Sequence, residues 1–263
     1  MKDTSPLALV TGASSGVGFE LAKLLAENGY ALLLAAADDE LRRAADEIRA
    51  MGAHADAVQV DLSAPGGVGL LYERLTALGR PVAVAVLNAG VGGGGPFVRT
   101  GLADEIRLVD LNIISTVALA KRLLPEMAAR REGRVLFTSQ LAPTVPASHQ
   151  AVRLASMSFA RSFAEALGDE LRDAGVTVTA LMPSPGPTGT ELSGNTGTAD
   201  ARIGQEKESD PVRMAKDGFE ALMNGQRPVV VGSPRTKADL AATVLPDTVL
   251  TDDAPPAHPG TPC

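Results

Sequence analysis

Six short aliphatic runs alternate along this chain with amphipathic stretches of helical period. Each run is almost continuously apolar, which is typical of parallel strands covered on both faces of a sheet. Two of the stretches, FELAKLLAENG and SFAEALGDELRDAG, close on a glycine suited to the left-handed position after a helix. The runs are PLALV, YALLLA, HADAVQV, VAVAVL, GRVLFT and VTVTALM. The alternation predicts an α/β fold in which a doubly wound parallel sheet carries helices on both faces.

Composition narrows the class of partner. A net charge of −7 argues against nucleic acid and anionic membranes, because a phosphate surface requires a basic face. No apolar run approaches the roughly 18 residues of a membrane span. The only cysteine is Cys263, which excludes a disulfide framework and a thiol-rich metal site. We therefore expect a cytoplasmic protein that acts on a small-molecule metabolite, without a metal.

The expected domain organisation is simple. With 263 residues, 45% of them hydrophobic, the chain can bury one large core, and we expect a single domain over residues 1–250. Residues 186–210 are polar and glycine-rich, which predicts a flexible flap over the site. Residues 251–263, TDDAPPAHPGTPC, have the composition of a disordered tail.

A glycine motif, TGASSGVG, occupies residues 11–18 between the first strand and the first helix. Glycines allow the backbone to turn tightly and to approach a pyrophosphate, whose charge the N–H groups of a helix start can hold. Strand, spacing and helix agree with a dinucleotide site. The alternative is a strand-to-helix turn that binds nothing.

Over about residues 5–235 the chain resembles the short-chain dehydrogenase/reductase family. The glycine motif matches, Asp61 follows the third strand where the family holds the adenine, and Asn88 begins the family's Asn-Ala-Gly, although Leu87 replaces a second asparagine. The resemblance implies a Rossmann-type sheet of about seven strands and a nicotinamide dinucleotide cofactor. The cofactor-binding residues it implies are Gly12, Ser14, Ser15, Gly16, Val17, Gly18, Asp61, Leu62, Asn88, Ala89, Gly90, Pro183, Gly186, Thr188 and Thr190.

The choice between NAD(H) and NADP(H) stays open at this point. The second strand ends in Ala35–Ala37, where the family places an acid or an arginine. Asp38 and Asp39 follow and can meet a ribose hydroxyl. Ser14 and Ser15 leave room for a 2′-phosphate, which favours NADP.

The resemblance fails at the catalytic residues. The family carries Ser, then Tyr about 13 residues later, then Lys four residues beyond, and SQLAPTVPASHQAVRLASM aligns with Gln140, Arg153 and Met157 at these positions. The only tyrosines in the chain are Tyr30 and Tyr72. Since a guanidinium is a poor acid near neutral pH, we expect ordinary ketone reduction to be severely impaired.

The replaced residues predict a different site. Arg153 and Met157 share a helix face, and Arg153 can grip a carboxylate or stabilise an oxyanion, with the Gln140 amide opposite. The alternative is that Arg153 pairs with a neighbouring acid on an inactive surface. Further candidates are Asn112, which matches the helix asparagine that anchors a water relay in the family, Ser139 beside the lost serine, and His149.

Three hypotheses about function follow. The first is a non-redox or atypical enzyme that catalyses an isomerisation, cyclisation, elimination or carbon–carbon step on an acidic or enolisable metabolite, with the nucleotide bound structurally or absent. The second is an oxidoreductase with an unusual proton source, and the third is a catalytically silent nucleotide-binding regulator or subunit. The resemblance also implies a homodimer or homotetramer formed through the helices of Asn112 and Arg153, with Leu119, Phe163 and Leu167 on their outer faces.

Overall fold

Seven strands and seven α-helices make up the regular structure of the described residues. The computed structural model describes residues 5–90, 95–139, 150–183, 210–225 and 229–231. The strands are β1 (Leu7–Thr11), β2 (Ala31–Ala36), β3 (Ala55–Gln59), β4 (Val82–Leu87), β5 (Gly133–Thr138), β6 (Val176–Pro183) and β7 (Val229–Val231). The helices are α1 (Gly16–Glu27), α2 (Glu40–Ala50), α3 (Gly67–Ala77), α4 (Leu102–Val109), α5 (Ser115–Arg130), α6 (Ala151–Glu170) and α7 (Pro211–Met223).

The strands pair in parallel in the order β3-β2-β1-β4-β5-β6-β7. The six strands predicted from the apolar runs are confirmed, and β7 completes the predicted seven. Strand order reverses between β1 and β4, and in open α/β sheets ligands bind at such a switch point, outside the carboxyl ends of the strands. The fold therefore directs attention to the loops after Thr11 and Leu87.

Successive residues of β1 face opposite sides of the sheet, and each side has its own core. Leu7 and Leu9 pack in one cluster with residues of α3, α5 and α6, whereas Ala8 and Val10 pack in the other with residues of α1, α2 and α7. This two-sided burial is why β1, β2 and β4 read as unbroken apolar runs. The edge strand β3 differs, because only Ala55 of its residues is buried and Asp56 and Gln59 interrupt its apolar residues.

The helix ends agree with the sequence in part. Gly29 follows α1 with φ 80°, as predicted from its sequence. The second predicted glycine, Gly175 with φ 71°, follows a short 3₁₀ turn, Arg172–Ala174, because α6 ends earlier at Glu170. Asp210 caps α7 by accepting a hydrogen bond from the Val212 N–H at 3.0 Å.

One prediction about the helix surfaces was wrong. Leu119 is 1% exposed and lies in the core beside β4 and β5, so it does not belong to an outer face. Phe163 and Leu167 are half-buried against the same core. The exposed apolar side chains of this region are instead Leu102, Ile106, Ile114 and Val117 on α4, α5 and the turn between them.

The described residues fall within one compact unit, Met1–Val231. None of the helices in this part of the chain combines the length and hydropathy that crossing a bilayer requires. Several predictions lie outside the described residues: the domain end at 250, the tail 251–263, nearly all of the flap 186–210, and Gln140, His149, Gly186, Thr188 and Thr190.

Candidate functional site

The glycine loop connects β1 to α1 at the switch point of the sheet. Gly12 and Gly16 adopt φ values of 63° and 56°, in the left-handed region that side-chain-bearing residues rarely occupy. Gly18 lies in the first turn of α1, where a Cβ would approach the Gly12 carbonyl oxygen to 2.1 Å. The glycines therefore allow a tight turn, and without side chains they do not cover the backbone N–H groups of the loop.

The start of α1 is suited to an anion. The Ser15 side chain makes no capping hydrogen bond, and the first turn contains no acidic residue. The first N–H groups of a helix have no partner within the helix and carry its positive dipole end. A pyrophosphate is the group that such a glycine loop and helix start typically hold.

Side chains from β1 and β4 join the two loops at the switch point. The Thr11 hydroxyl accepts hydrogen bonds from the N–H groups of Asn88 and Ala89, both at 3.0 Å. The Asn88 amide donates to the Gly12 carbonyl at 3.1 Å and accepts from the Thr138 hydroxyl at 2.9 Å. Asn88 thus ties the glycine loop to both β4 and β5 and keeps the loop in one position.

Asp38 follows β2 and faces the glycine loop. The Ser14 hydroxyl donates to Asp38 Oδ2 at 2.7 Å. The other carboxylate oxygen, Oδ1, is buried and has no hydrogen-bond partner among the described residues. A buried acceptor without a donor is costly, so a donor that reached this oxygen would stabilise the site.

Asp61, after β3, forms a cluster with Ser63 and Arg107. Asp61 Oδ1 accepts from the Ser63 N–H at 2.9 Å and from the Ser63 hydroxyl at 2.6 Å, and Oδ2 accepts from Arg107 Nη2 at 3.0 Å. The Ser63 hydrogen bonds, and then the Arg107 charge, hold the pKa of the Asp61 carboxyl below its ordinary value. Asp61 therefore stays ionised, and its charge is compensated by the guanidinium.

Most of these groups line one cleft of about 390 Å³, although Thr11, Gly18 and Ser63 do not. One half, defined by Ala35–Asp38, Asp61, Leu62 and Arg107, lies beside β2 and β3, and we call it the adenosine half after the group that the family resemblance assigns to it. The other half, defined by Thr138, Ser139, Ser156, Met157 and Ala160, lies beside β5 and α6, and we call it the catalytic half for the same reason. The glycine loop and Asn88–Gly90 lie between them. Gly18 is not among the lining residues because it packs beneath the loop.

Asn112 lies in a π-helical turn, Asp110–Ile114, that joins α4 to α5. Such turns are rare and are frequent at functional sites. The Asn112 amide donates to the Ser156 hydroxyl at 2.9 Å, and that hydroxyl donates to the Arg153 carbonyl at 2.7 Å. These two hydrogen bonds therefore connect the Asn112 side chain to the backbone of α6 through the Ser156 hydroxyl.

The catalytic half contains hydroxyls and a thioether. Met157 is buried and lines the cleft where the family resemblance places an ammonium group. The Ser139 hydroxyl donates to the Met157 carbonyl at 2.6 Å. Neither tyrosine of the chain reaches this region, because Tyr72 lies on α3 and bonds Glu126, and the Tyr30 hydroxyl contacts Met223. Among the described residues that line this half, no phenol or ammonium group is present.

Arg153 lies in the first turn of α6 and is 8% exposed. It is not among the residues that line the described cleft. Its Nη1 donates to Gln150 Oε1 at 2.6 Å, while Nε is buried and makes no hydrogen bond to any described residue. No acidic side chain of the described ranges pairs with it. Burial lowers the pKa of the Arg153 guanidinium from its ordinary value.

Comparison with known proteins identifies the family. Residues 6–201 match the family described as short chain dehydrogenase. The chain belongs to this family. It is 32% identical over 242 residues to dehydrogenase/reductase SDR family member 7B of Bos taurus. This alignment covers 87% of this chain and 74% of that protein.

Solved structures of short-chain dehydrogenases share the fold. A short-chain dehydrogenase from Sphingobium yanoikuyae in complex with NADPH superposes with a TM-score of 0.83 at 24% identity, covering 97% of this chain and 98% of that chain. A metagenomic short-chain oxidoreductase in complex with NADP superposes with a TM-score of 0.69 at 27% identity, covering 86% and 96%. The Rossmann-type parallel sheet predicted from sequence is therefore confirmed.

The structure brings most of the predicted site residues to one cleft, together with residues that were not predicted. The lining residues that sequence predicted are Gly12, Ser14, Ser15, Gly16, Val17, Asp61, Leu62, Asn88, Ala89, Gly90, Asn112, Ser139 and Met157. Pro183 ends β6. Thr138, Ser156 and Arg107 were not predicted. Thr138 ends an apolar strand at the edge where the cleft lies, which is a usable signal, whereas nothing in the sequence around Arg107 indicates its pairing with Asp61.

Proposed function

We propose that this short-chain dehydrogenase-type protein binds a nicotinamide dinucleotide and acts on a small acidic or enolisable metabolite by a reaction other than ordinary ketone reduction. The composition of the catalytic half carries the proposal: Ser139, Ser156 and Met157 occupy the wall, and its described part offers no acid suited to neutral pH. Aliphatic hydroxyls are far weaker acids than a phenol, and a thioether holds no proton. Loss of a positioned general acid typically lowers a rate by about 10²–10⁴.

The residues of the middle of the cleft fit the cofactor. The left-handed glycines and the uncapped start of α1 suit a pyrophosphate, and the unpartnered Asp38 Oδ1 suits a ribose hydroxyl. Two structural neighbours are described as complexes with NADPH and NADP. A bound nicotinamide supplies or accepts a hydride, which a non-redox reaction leaves unused.

Asp38 favours NAD(H) over NADP(H) in this proposal. The sequence-based preference for NADP depended on room beside Ser14 and Ser15, but the Ser14 hydroxyl is engaged by Asp38. A 2′-phosphate at this position would meet a carboxylate, and like charges in contact cost several kcal/mol. We expect Asp38→Ser to tighten NADPH binding by about tenfold or more. Asp39→Ser is the matched control, because Asp39 bonds Gln59 and does not line the cleft.

Arg153 is the proposed anion-binding residue. A buried charge without a charged partner destabilises a protein, and an arriving carboxylate would relieve that cost. Arg153 combines 8% exposure with an unbonded Nε among the described residues, and it lies one helical turn before Met157, which lines the cleft. Gln140 and His149 belong to the same proposal, as an amide partner and as an acid–base group.

The first experiment measures binding before turnover. Isothermal titration with NADH and NADPH is expected to show binding of NADH, and a panel of carboxylated metabolites is then titrated into the saturated complex. Arg153→Met should weaken binding of an acidic ligand by about 1.5–3 kcal/mol, the range for a charged hydrogen bond. Arg153→Lys should restore part of it, because the charge remains without the planar fork.

A control variant on the same helix separates the local effect from a general one. Arg161→Met removes a guanidinium that is already paired with Glu165 at 2.9 Å, so ligand binding should stay unchanged. If Arg153→Met and Arg161→Met behave alike with every acidic ligand bound by the wild type, the anion-binding proposal is wrong.

An oxidoreductase with another proton source is the second candidate. Thr138, Ser139 and Ser156 line the catalytic half, and hydroxyls can order a water that delivers a proton. The curated relative from Bos taurus is a dehydrogenase/reductase by name. Steady NADH oxidation with a ketone that falls in Ser156→Ala would favour this candidate. Nucleotide binding without turnover of any substrate would instead favour a silent regulator.

Self-association is proposed through α4 and α5. Four exposed apolar side chains lie there, Leu102, Ile106, Ile114 and Val117, and exposed apolar surface marks interaction sites. Light scattering at micromolar concentration should report a dimer or tetramer that Ile114→Asp dissociates. Val212→Asp is the control, because Val212 is equally exposed at 55% on α7.

A further inference from the structure

We infer that Arg107 is a binding residue for the adenine base, and that its guanidinium plane covers the base in the adenosine half of the cleft. This inference depends on the proposed nucleotide binding. Arg107 lines the cleft from α4, and Ala35 and Ala36 line it from the end of β2. Its side chain is 65% exposed, so one face of the guanidinium is accessible to a ligand.

The guanidinium is held in place before any ligand arrives. Nη2 donates to Asp61 Oδ2 at 3.0 Å, and Nε donates to the Ser63 hydroxyl at 3.4 Å. Asp61 is itself fixed by the N–H and the hydroxyl of Ser63. A long side chain restrained in this way loses less conformational freedom on binding than a free one.

The rest of the lining provides a wall suited to a flat apolar group. Ala35, Ala36, Ala37 and Leu62 belong to the adenosine half, and Leu111 also lines the cleft. Alanine methyl groups are small and leave room for a ring. A heteroaromatic base fits between such a wall and a guanidinium, because arginine stacks on aromatic faces through its planar, weakly hydrated group.

Charge balance favours a base over a phosphate as the ligand of Arg107. Asp61 already compensates the guanidinium charge, and its lowered pKa keeps it ionised near neutral pH. A second anion would have to compete with Asp61, whereas a neutral base would leave the pair intact. We therefore expect Arg107 to strengthen binding of the adenine base and to have no effect on the preference between NADH and NADPH.

Isothermal titration with two probes tests the inference. ADP-ribose contains the adenine and the pyrophosphate, and reduced nicotinamide mononucleotide lacks the adenine. Arg107→Met and Arg107→Lys should each weaken ADP-ribose binding by about tenfold, because neither keeps the plane. Both variants should bind reduced nicotinamide mononucleotide as the wild type does. Arg122→Met, which removes an exposed arginine of α5, should change neither affinity.

Each contrary outcome is distinct. Unchanged ADP-ribose binding in Arg107→Met overturns the inference, and so does full recovery in Arg107→Lys, because charge alone would then explain the contact. A loss confined to NADPH, with NADH binding intact, assigns Arg107 to a phosphate and also overturns it. If wild-type protein binds no ADP-ribose at millimolar concentration, the proposed nucleotide binding fails and this inference fails with it.

Discussion

The two halves of the cleft differ in whether backbone or side chains form the site. The adenosine half and the adjoining loop depend on backbone conformation, on glycines without a Cβ, and on charged groups that already have partners, such as Asp61. The catalytic half depends on single side chains of β5 and α6, where Met157 lines the cleft and Arg153 is buried without lining it. A backbone-built site tolerates few substitutions, whereas a helix accepts new side chains without losing its shape.

Under the proposed function, that difference explains how one half keeps the pattern of a dehydrogenase while the other half changes. Replacing a residue on α6 leaves the helix intact, since Arg and Met are good helix formers. Replacing a loop glycine forces backbone atoms apart. The following variants test this contrast in order of expected effect.

Gly16→Asp should abolish nucleotide binding, with an affinity loss of more than about a hundredfold. The substitution places a side chain at φ 56° and a carboxylate where the pyrophosphate would bind. Gly29→Asp is the control, because φ is 80° there and a Cβ would meet nothing within 4 Å. Isothermal titration of both variants with NADH separates a specific loss of nucleotide binding from a general effect of backbone strain. Equal loss in both would mean that the loop has no special role.

Gly18→Ala should destabilise the fold by about 1–3 kcal/mol, the range for overpacking. The added Cβ would lie 2.1 Å from the Gly12 carbonyl oxygen and 2.4 Å from the Asn88 amide nitrogen. Gly69→Ala in α3, where a Cβ would meet nothing within 4 Å, should instead stabilise by about 0.5–1 kcal/mol. Urea unfolding measures both, and the two shifts should have opposite signs.

Ser156→Ala should destabilise by about 0.5–1.5 kcal/mol and leave NADH binding unchanged. The Ser156 hydroxyl is buried and bonds both Asn112 and the Arg153 carbonyl. Ser158→Ala is the matched control, because Ser158 is exposed and its hydroxyl only bonds the preceding helical turn at 3.0 Å. A change in NADH affinity of Ser156→Ala would show that the two halves are not independent.

The Asp61–Arg107 pair should give the smallest effect, below about 1 kcal/mol, because both side chains are substantially exposed. The pKa of Asp61 is lowered, so its stabilising contribution is present above the ordinary value of about 3.9 and is lost as the pH falls below it. The stability difference between wild type and Arg107→Met should therefore be larger at pH 7 than at pH 3. Urea unfolding at the two pH values measures it, and a larger difference at pH 3 would contradict the pairing.

The sequence predicted most of the sheet because strands such as β1, β2 and β4 are buried on both faces and therefore appear as apolar runs. It predicted the glycine loop because only glycine fits there. It did not predict that Leu119 faces the core, because Leu119 and the exposed Val117 are both apolar residues of one helix, and orientation depends on how α5 packs against β4 and β5. It also missed Arg107, because its partner Asp61 is distant along the chain and only the fold joins them.

The most direct test compares ketone reduction by wild-type protein and by the triple variant Gln140→Ser, Arg153→Tyr, Met157→Lys. NADH oxidation is followed with the same panel of simple ketones, after titration has shown that both proteins bind NADH. The nucleotide-binding part of the cleft is proposed to be competent, and the catalytic half is proposed to lack only the serine, the phenol and the ammonium group. The triple variant should therefore exceed the wild type by about 10²-fold or more. A wild-type rate equal to or above that of the triple variant would contradict the proposal that ordinary carbonyl reduction has been lost.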